Sequence, residues 1–343
     1  MNHLNGLNAL NGCYGVFTMK VTILDDYQNI FLGSSAIDRL RQKAEVQIHT
    51  EKFNSEKALI RALKGSQAVI PIRERTQFPA NLLQSLPDLE IIAQTGNQLY
   101  HIDIPAATGA GILVTTAPGG YGVTELAIGL MIAVMRRIPQ SDRETRQGKW
   151  PPVLGRVLKG KTLGILGLGR VGSEVARIAL AFGMKVVAWG PTLTRERAEA
   201  AQVNYMMLEE VLQNADVVSI HLKLSDQSKG LLNEPRLRLM KKSAYLVNTA
   251  RGAIVDETAL IKVLREEAIA GAALDVFAKE PLSPGSPLLE FDNVVLTPHI
   301  GWPTDKGYEE FAENAVENIL SYMEGKLTRA VNPEAVEKRK LAQ

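Results

Sequence analysis

Four residues in the second half of the chain have the types that proton and anion chemistry needs. Arg251 follows Tyr-Leu-Val-Asn-Thr-Ala, Asp275 sits in Ala-Leu-Asp-Val-Phe, Glu280 lies in the loop after it, and His299 follows Val-Val-Leu-Thr-Pro. Arg251, Asp275 and His299 each fall at the carboxyl end of an apolar run that reads as a strand, the rim where open α/β sheets bind ligands. An imidazole exchanges one proton near neutral pH, with an ordinary pKa of about 6.5. That suits it to give or take the proton when a hydride moves between a hydroxyl and a carbonyl. A carboxylate hydrogen-bonded to the far ring nitrogen orients the ring and favours its charged form, a part Glu280 could play. Arg251 offers a planar fork for a substrate carboxylate and a positive field for a developing alkoxide. Each also has a plainer reading: Arg251 as a capping cation before Gly252, Glu280 as a solvated loop charge, His299 as a satisfied structural histidine. Among the other histidines, His49 reads as a strand end, His101 as surface or pocket rim, and His221 as a strand end that could line a cofactor cleft without catalysing anything.

These residues need a scaffold, and the stretch Lys161 to Pro191 supplies its centre. It reads as a strand, a glycine turn, a helix and a second strand. Gly167, Gly169 and Gly172 have G-x-G-x-x-G spacing: the first allows a tight turn, the second lets backbone approach a pyrophosphate, the third lets helix pack closely on strand. The helix opening at Arg170 and Val171 offers its free N–H groups and dipole to that anion. A dinucleotide is the expected ligand. An acidic residue about 20 positions further on normally takes the ribose hydroxyls of NAD. Here the position after Val-Val-Ala-Trp is Gly190, followed by Thr192, Thr194, Arg195 and Arg197. Nothing there repels a 2′-phosphate, so NAD and NADP both stay open; the arginines also read as the solvated face of a helix beginning at Thr194.

Around this centre, short apolar runs alternate with helical patterns, which implies parallel sheets covered on both faces. Lys20–Leu24, Val46–His49, Ala68–Ile72, Leu89–Ala93 and Ile112–Thr115 are expected strands of a first domain, with helices at Ser34–Lys43, Ser55–Leu63 and Pro79–Leu86. Thr124 to Ile138 is expected as one buried helix capped by Thr124 and stopped by Pro139. After Pro191, strands at Ala215–Leu222, Ala244–Thr249, Gly271–Phe277 and Asn293–Pro298 alternate with helices at Leu208–Gln213, Glu234–Met240 and Asp256–Glu266. The helix Lys306–Met323 comes after the second sheet is complete, so it is expected to return to the first domain. The fold class is thus α/β with two doubly wound parallel-sheet domains. A disordered leader is expected over residues 1–18, a substrate-binding domain over 19–119 and 306–332, a dinucleotide-binding domain over 120–305, and a solvated tail over 333–343.

Composition narrows the setting. In 343 residues, 45% are hydrophobic and 22% charged, ordinary for a chain that buries full cores, and a net charge of +2 argues for neither nucleic acid nor membrane. The apolar run Leu126 to Met135 is too short to span a bilayer. One cysteine, Cys13, excludes an internal disulfide and a cysteine metal cluster, which fits a reducing cytoplasm.

The chain from Met19 to Asn332 resembles the D-2-hydroxyacid dehydrogenases of the phosphoglycerate dehydrogenase-like type. The resemblance rests on Gly-Leu-Gly-Arg-Val-Gly, Asn-Thr-Ala-Arg-Gly, Gly-Ala-Ala-Leu-Asp-Val-Phe, Glu-Pro-Leu and Thr-Pro-His-Ile-Gly, in that order. It implies a Rossmann dinucleotide-binding domain inserted into a flavodoxin-like substrate domain, with a cleft between them that closes on substrate. It implies His299 as acid/base, Glu280 as its partner and Arg251 as substrate anchor. Asp275 would lie near the nicotinamide carboxamide, and Leu222, Thr249, Ala250 and Gly301 would join the glycine turn around the cofactor. Ile72–Thr76 resembles the pocket segment, so Arg73 is expected to meet a substrate anion, and Thr95, Gly96 and Asn97 resemble the loop whose N–H groups hold the carboxylate. A homodimer through the cofactor domains is implied, with a small 2-keto or 2-hydroxy acid as substrate. A histidine–glutamate pair speaks against the formate dehydrogenases, whose histidine pairs with glutamine. A cofactor-sensing transcriptional corepressor on the same fold is the alternative from another class.

Overall fold

The computed structural model describes residues 19–119, 122–150 and 153–342; the expected leader, Cys13 included, lies outside the described residues. The chain divides into two compact units, unit 1 of residues 1–120 and 305–343 and unit 2 of residues 121–304.

Unit 1 opens with strands β1 (Lys20–Leu24), β2 (Glu45–Ile48), β3 (Ala68–Pro71), β4 (Ile91–Thr95) and β5 (Leu113–Ala117) and helices α1 (Ser35–Arg41), α2 (Glu56–Leu63), α3 (Ala80–Gln84) and α4 (Ile104–Gly109). The strands run parallel in the order β2-β1-β3-β4-β5, the flavodoxin-like winding. The inner strands β3 and β4 are buried throughout because helices cover both faces, whereas the edge strand β2 alternates between exposed and half-buried residues. Ser55 and Asp103 start α2 and α4 by accepting the free N–H groups of Ala58 and Ala106. Strand β4 runs two residues further than expected, since Gln94 and Thr95 pair with Thr116 and Ala117. This draws both polar side chains into the interior.

Unit 2 contains α5 (Gly122–Arg136), α6 (Ile138–Arg146), β6 (Thr162–Leu166), α7 (Arg170–Ala181), β7 (Lys185–Trp189), α8 (Arg195–Ala200), β8 (Asn204–Tyr205), α9 (Leu208–Asn214), β9 (Val217–Ile220), α10 (Glu234–Leu237), β10 (Tyr245–Asn248), α11 (Glu257–Arg265), β11 (Gly271–Leu274) and β12 (Val294–Leu296). Its seven parallel strands run β12-β11-β10-β9-β6-β7-β8, so strand order reverses between β6 and β9, beside the glycine turn. Such a reversal is where doubly wound sheets open a crevice for ligands. Two helices then close the chain in unit 1, α12 (Asp305–Met323) and α13 (Glu334–Ala342). Helix α12 buries Tyr308, Phe311, Ala315 and Ile319, and its Asn318 donates to Thr115 Oγ1 and the Thr116 carbonyl.

Several expectations need correction. Helix α5 begins at Gly122, so Thr124 lies inside it rather than capping it. Pro139 does not end helical structure. Arg137 turns left-handed at φ 54° and Pro139 sits in the first turn of α6, where its missing N–H is no loss. The terminal segment is not a solvated tail: Ala335 is buried and Arg339 donates to the Leu89 carbonyl and pairs with Glu90 at 3.2 Å. Its charge-rich composition hid these anchors. The short elements α4 and β8 had no legible periodicity, whereas α8 begins after its cap Thr194 as the helix reading of that stretch has it. Among the described residues no helix is long and apolar enough to cross a membrane, and no cluster of His, Cys, Asp or Glu could hold a metal ion.

His101 is not a surface residue; it is 3% exposed. Burial, with a smaller contribution from the charge of Arg73, pulls its pKa down to about 4, and burial does the same to His221. Both rings therefore stay neutral in the folded chain, while in the unfolded chain they take up protons as pH falls through about 6.5. The unfolded state binds more protons between those values, so stability declines as pH drops from about 6.5 towards 4 and is insensitive to these rings above 7. In urea melts across that range, the decline should be shallower in His101→Gln than in the natural chain. Parallel declines would show that His101 does not contribute.

Candidate active site

At the carboxyl end of β6 the three motif glycines serve three different needs. Gly167 has φ 102°, and a Cβ there would lie 2.8 Å from the His221 carbonyl oxygen and 3.0 Å from Leu222 N. No side chain fits between turn and strand end. A Cβ on Gly172 would lie 2.1 Å from the Gly167 carbonyl oxygen, so the first turn of α7 packs directly on the glycine turn. Gly169 is different: a Cβ there would meet nothing within 4 Å. Internal packing does not demand that glycine, and the open space faces the N-terminus of α7, where first-turn N–H groups lack intrahelical acceptors. The side chain of Val171 packs into the core beneath.

Gly190 lies beside this turn, since a Cβ on it would contact Gly167 Cα at 3.8 Å and Leu193 Cβ at 3.5 Å. These are ordinary contacts, so a side chain is tolerated. Of the arginines that follow, Arg197 donates to the Thr192 carbonyl at 2.9 Å and Arg195 lies over the Tyr205 ring at 5.5 Å. Thr194 caps α8. At the end of β10, Thr249 is buried and its hydroxyl oxygen has no hydrogen-bond partner among the described residues. An open glycine at a helix N-terminus and an unpartnered hydroxyl at a strand end of the same sheet fit a bound dinucleotide, which would fill the space at the one and satisfy the other.

The proton-active pair stands on loops after β11 and β12. His299 Nδ1 meets Glu280 Oε2 at 2.7 Å, and Glu280 Oε1 accepts from Phe277 N at 3.0 Å. Burial alone would raise the Glu280 carboxyl. The hydrogen bonds from His299 and Phe277 N and the charges of His299 and Arg251 outweigh it and hold the group below its ordinary value. An ionised carboxylate can only accept, so Nδ1 carries a hydrogen and Nε2 is the nitrogen left to exchange a proton. The ring is 34% exposed, open enough to reach a substrate.

Asp275 is held by the chain on both carboxyl oxygens. It is fully buried, and its carboxyl accepts from Thr297 Oγ1 at 2.6 Å, Ile300 N at 2.8 Å and Gly301 N at 3.0 Å. These bonds bracket His299, which sits at φ 55°. Asp275 therefore shapes the turn that presents the imidazole. Arg251 donates to the Ala250 carbonyl at 2.7 Å, and Asn248 holds its loop by donating to the Arg251 carbonyl and accepting from Ala250 N. Gly252 lets that loop close on the loop after β11, because a Cβ there would lie 2.0 Å from the Phe277 carbonyl carbon. That contact brings the Arg251 and Glu280 loops side by side. Asn248, Gly252 and Thr297 were not singled out from the sequence; each lies inside one of the quoted motifs, but the roles of Gly252 and Thr297 depend on partners distant in the chain.

Unit 1 gathers its own group. Arg73 has φ 61°, and a Cβ on Gly96, itself at φ 88°, would lie 1.9 Å from Arg73 Nη1. The guanidinium thus rests against the backbone of the loop Thr95–Asn97, with the Phe311 ring 5.6 Å from it and Glu74 at 3.3 Å. Thr95 is buried and Asn97 is exposed.

Comparison with known proteins gives a consistent picture. Residues 128–301 match the family model described as D-isomer specific 2-hydroxyacid dehydrogenase, NAD binding domain. The chain is 39% identical over 325 residues to a D-3-phosphoglycerate dehydrogenase of Archaeoglobus fulgidus, covering 93% of this chain and 60% of that one. It is 37% identical over 327 residues to a glyoxylate reductase of Thermofilum pendens, covering 92% and 96%. Among solved structures it is similar to a phosphoglycerate oxidoreductase from Vibrio cholerae (TM-score 0.79, 35% identity, 90% and 99% covered). It is also similar to an acyclic imino acid reductase in complex with NADPH and D-Arg (TM-score 0.76, 28% identity, 91% and 100% covered).

Proposed function

Because the chain belongs to the D-isomer-specific 2-hydroxyacid dehydrogenases, enzymes that use NAD(P), we propose that it interconverts a small 2-keto acid and the corresponding D-2-hydroxy acid. The observation that carries this is the His299–Glu280 pair at 2.7 Å, with Nε2 as the proton-exchanging atom. The nicotinamide cofactor would supply or accept the hydride. The residues for holding it are Gly167, Gly169, Gly172 and the α7 N-terminus at the pyrophosphate, Gly190 at the ribose, and Leu222, Thr249, Ala250 and Gly301 along the strand ends. In reduction, His299 Nε2 gives its proton to the carbonyl oxygen as that oxygen gains negative charge, and Glu280 stabilises the imidazolium until then. In oxidation the same nitrogen takes the hydroxyl proton. Arg251 binds the carboxylate and lowers the energy of the developing alkoxide. In unit 1, Arg73 and the loop Thr95–Asn97 offer a second place for an anionic substrate group; the Gly96 N–H is itself given to the Ala117 carbonyl at 2.6 Å, which leaves the guanidinium to carry most of the attraction.

Replacing His299 by alanine should lower kcat for keto-acid reduction at least about a hundredfold, the usual contribution of a positioned acid/base, with NADH binding by fluorescence titration unchanged. Near-normal turnover would remove His299 from the mechanism. A panel of 2-keto acids with both cofactors reads the substrate class directly, and a natural chain that reduces none of them overturns the assignment.

Gly190 leaves cofactor choice permissive, so both NADH and NADPH should support turnover. Gly190→Asp fits sterically and should shift kcat/KM towards NADH, because a carboxylate accepts from ribose hydroxyls and repels a 2′-phosphate. An unchanged cofactor ratio would show that residue 190 does not face the ribose.

We also infer a homodimer formed through unit 2. Trp150 and Leu154 are 90% and 91% exposed on the connection between α6 and β6, and Ile138, Val157 and Phe182 are exposed in the same unit. Large apolar side chains left this open mark an association surface. Light scattering should give twice the mass of one chain, and Trp150→Glu with Leu154→Glu should shift it towards one; a natural chain that elutes as a monomer would refute the dimer.

A further inference from the structure

We propose that His101 is a positioning residue for the substrate anion, acting through Gln94 on Arg73. This rests on the reading of Arg73 as an anion contact. Gln94 is buried at the end of β4, and its Nε2 donates to two carbonyls, Arg73 at 3.0 Å and Thr95 at 2.8 Å. Only an NH₂ group can face two carbonyls, so the orientation of the amide is decided and its Oε1 points at His101 Nε2, 3.0 Å away. Oε1 accepts, so the hydrogen of the imidazole must be on Nε2. Nδ1 is then the bare nitrogen, and it is buried without a partner among the described residues. A neutral ring in this one tautomer completes the network; the depressed pKa of His101 keeps it so.

The network ends on strained backbone. Arg73 is a non-glycine residue in the left-handed region, a conformation that persists where surrounding structure holds it. Its N–H donates to Thr95 Oγ1 at 2.7 Å, Thr95 Oγ1 donates to the Pro71 carbonyl at 3.0 Å, and its own carbonyl is held by Gln94. That conformation lays the guanidinium on Gly96. Without a donor at residue 101, Oε1 of Gln94 has no partner, the amide is free to swing from the Arg73 carbonyl, and the guanidinium loses its fixed place above the Thr95–Asn97 loop. Residues 73, 94 to 96 and 101 thus act as one unit, and the ring touches no substrate itself.

The test compares the natural chain with His101→Phe, which keeps a ring but no donor, and His101→Gln, which restores an amide donor near the position of Nε2. Each is measured for KM and kcat on the keto acid turned over best and for NADH affinity. His101→Phe should raise the keto-acid KM about tenfold, the worth of one well-made hydrogen bond, with kcat and NADH affinity within about twofold. His101→Gln should recover most of the loss, and in an Arg73→Ala background His101→Phe should raise KM no further. Gln94→Met cuts the same link from its other side and serves if His101→Phe does not fold. An unchanged KM, a rise that persists without Arg73, or a joint loss of kcat, NADH affinity and melting temperature would overturn the proposal. Calorimetric titration of the same variants with oxamate, a keto-acid mimic that takes no hydride, in the presence of NADH reads the anion site without turnover. A natural chain inactive on every keto acid therefore sinks the activity alone, whereas equal oxamate affinity across the variants sinks the role of His101.

Discussion

The chemistry of unit 2 hangs on a buried carboxyl group whose acceptors are all engaged. Asp275 ends β11 inside the protein, where an unpartnered polar group would be expensive, and the three donors that satisfy it all come from Thr297 to Gly301. The requirement to satisfy Asp275 therefore dictates the path of the chain after β12, including the left-handed backbone at His299. Glu280 completes the arrangement from the next loop, fixed by the amide of Phe277 on one oxygen and the imidazole on the other.

A similar device recurs in unit 1 with different residues. The amide of Gln94 holds the strained Arg73 backbone as Asp275 holds that of His299, and both anchors sit at or just beyond the carboxyl end of a buried parallel strand. The physical reason is shared. Parallel strands covered on both faces exclude water, so polar groups at their ends must find protein partners, and those partners are the loops that carry function.

The glycine turn shows the same separation between folding and function within six residues. Gly167 and Gly172 are required by the fold, since backbone atoms occupy the places where their side chains would be. Gly169 is not demanded by packing among the described residues, since a Cβ on it would meet nothing within 4 Å. Gly190 belongs to neither group: the fold tolerates a side chain there, with only ordinary contacts to Leu193 and Gly167.

Much of this was legible in the amino-acid sequence, because its signals are local. Periods of apolar residues place the inner strands, the start of the helix at Ser55 follows from a side chain three residues from the N–H group it accepts, and ordered motifs named Arg251, Glu280 and His299 together. The tertiary structure alone decided which polar residues brace which loops. Asp275 turned out to shape a turn, His101 to lie buried against Gln94, Gly252 to let two loops meet, and Arg339 to fasten the last helix to Leu89 and Glu90. Each of these roles is a hydrogen bond or a close approach between segments remote in sequence. No local pattern encodes such a contact, since its partner is brought alongside only when the sheet and its covering helices have packed.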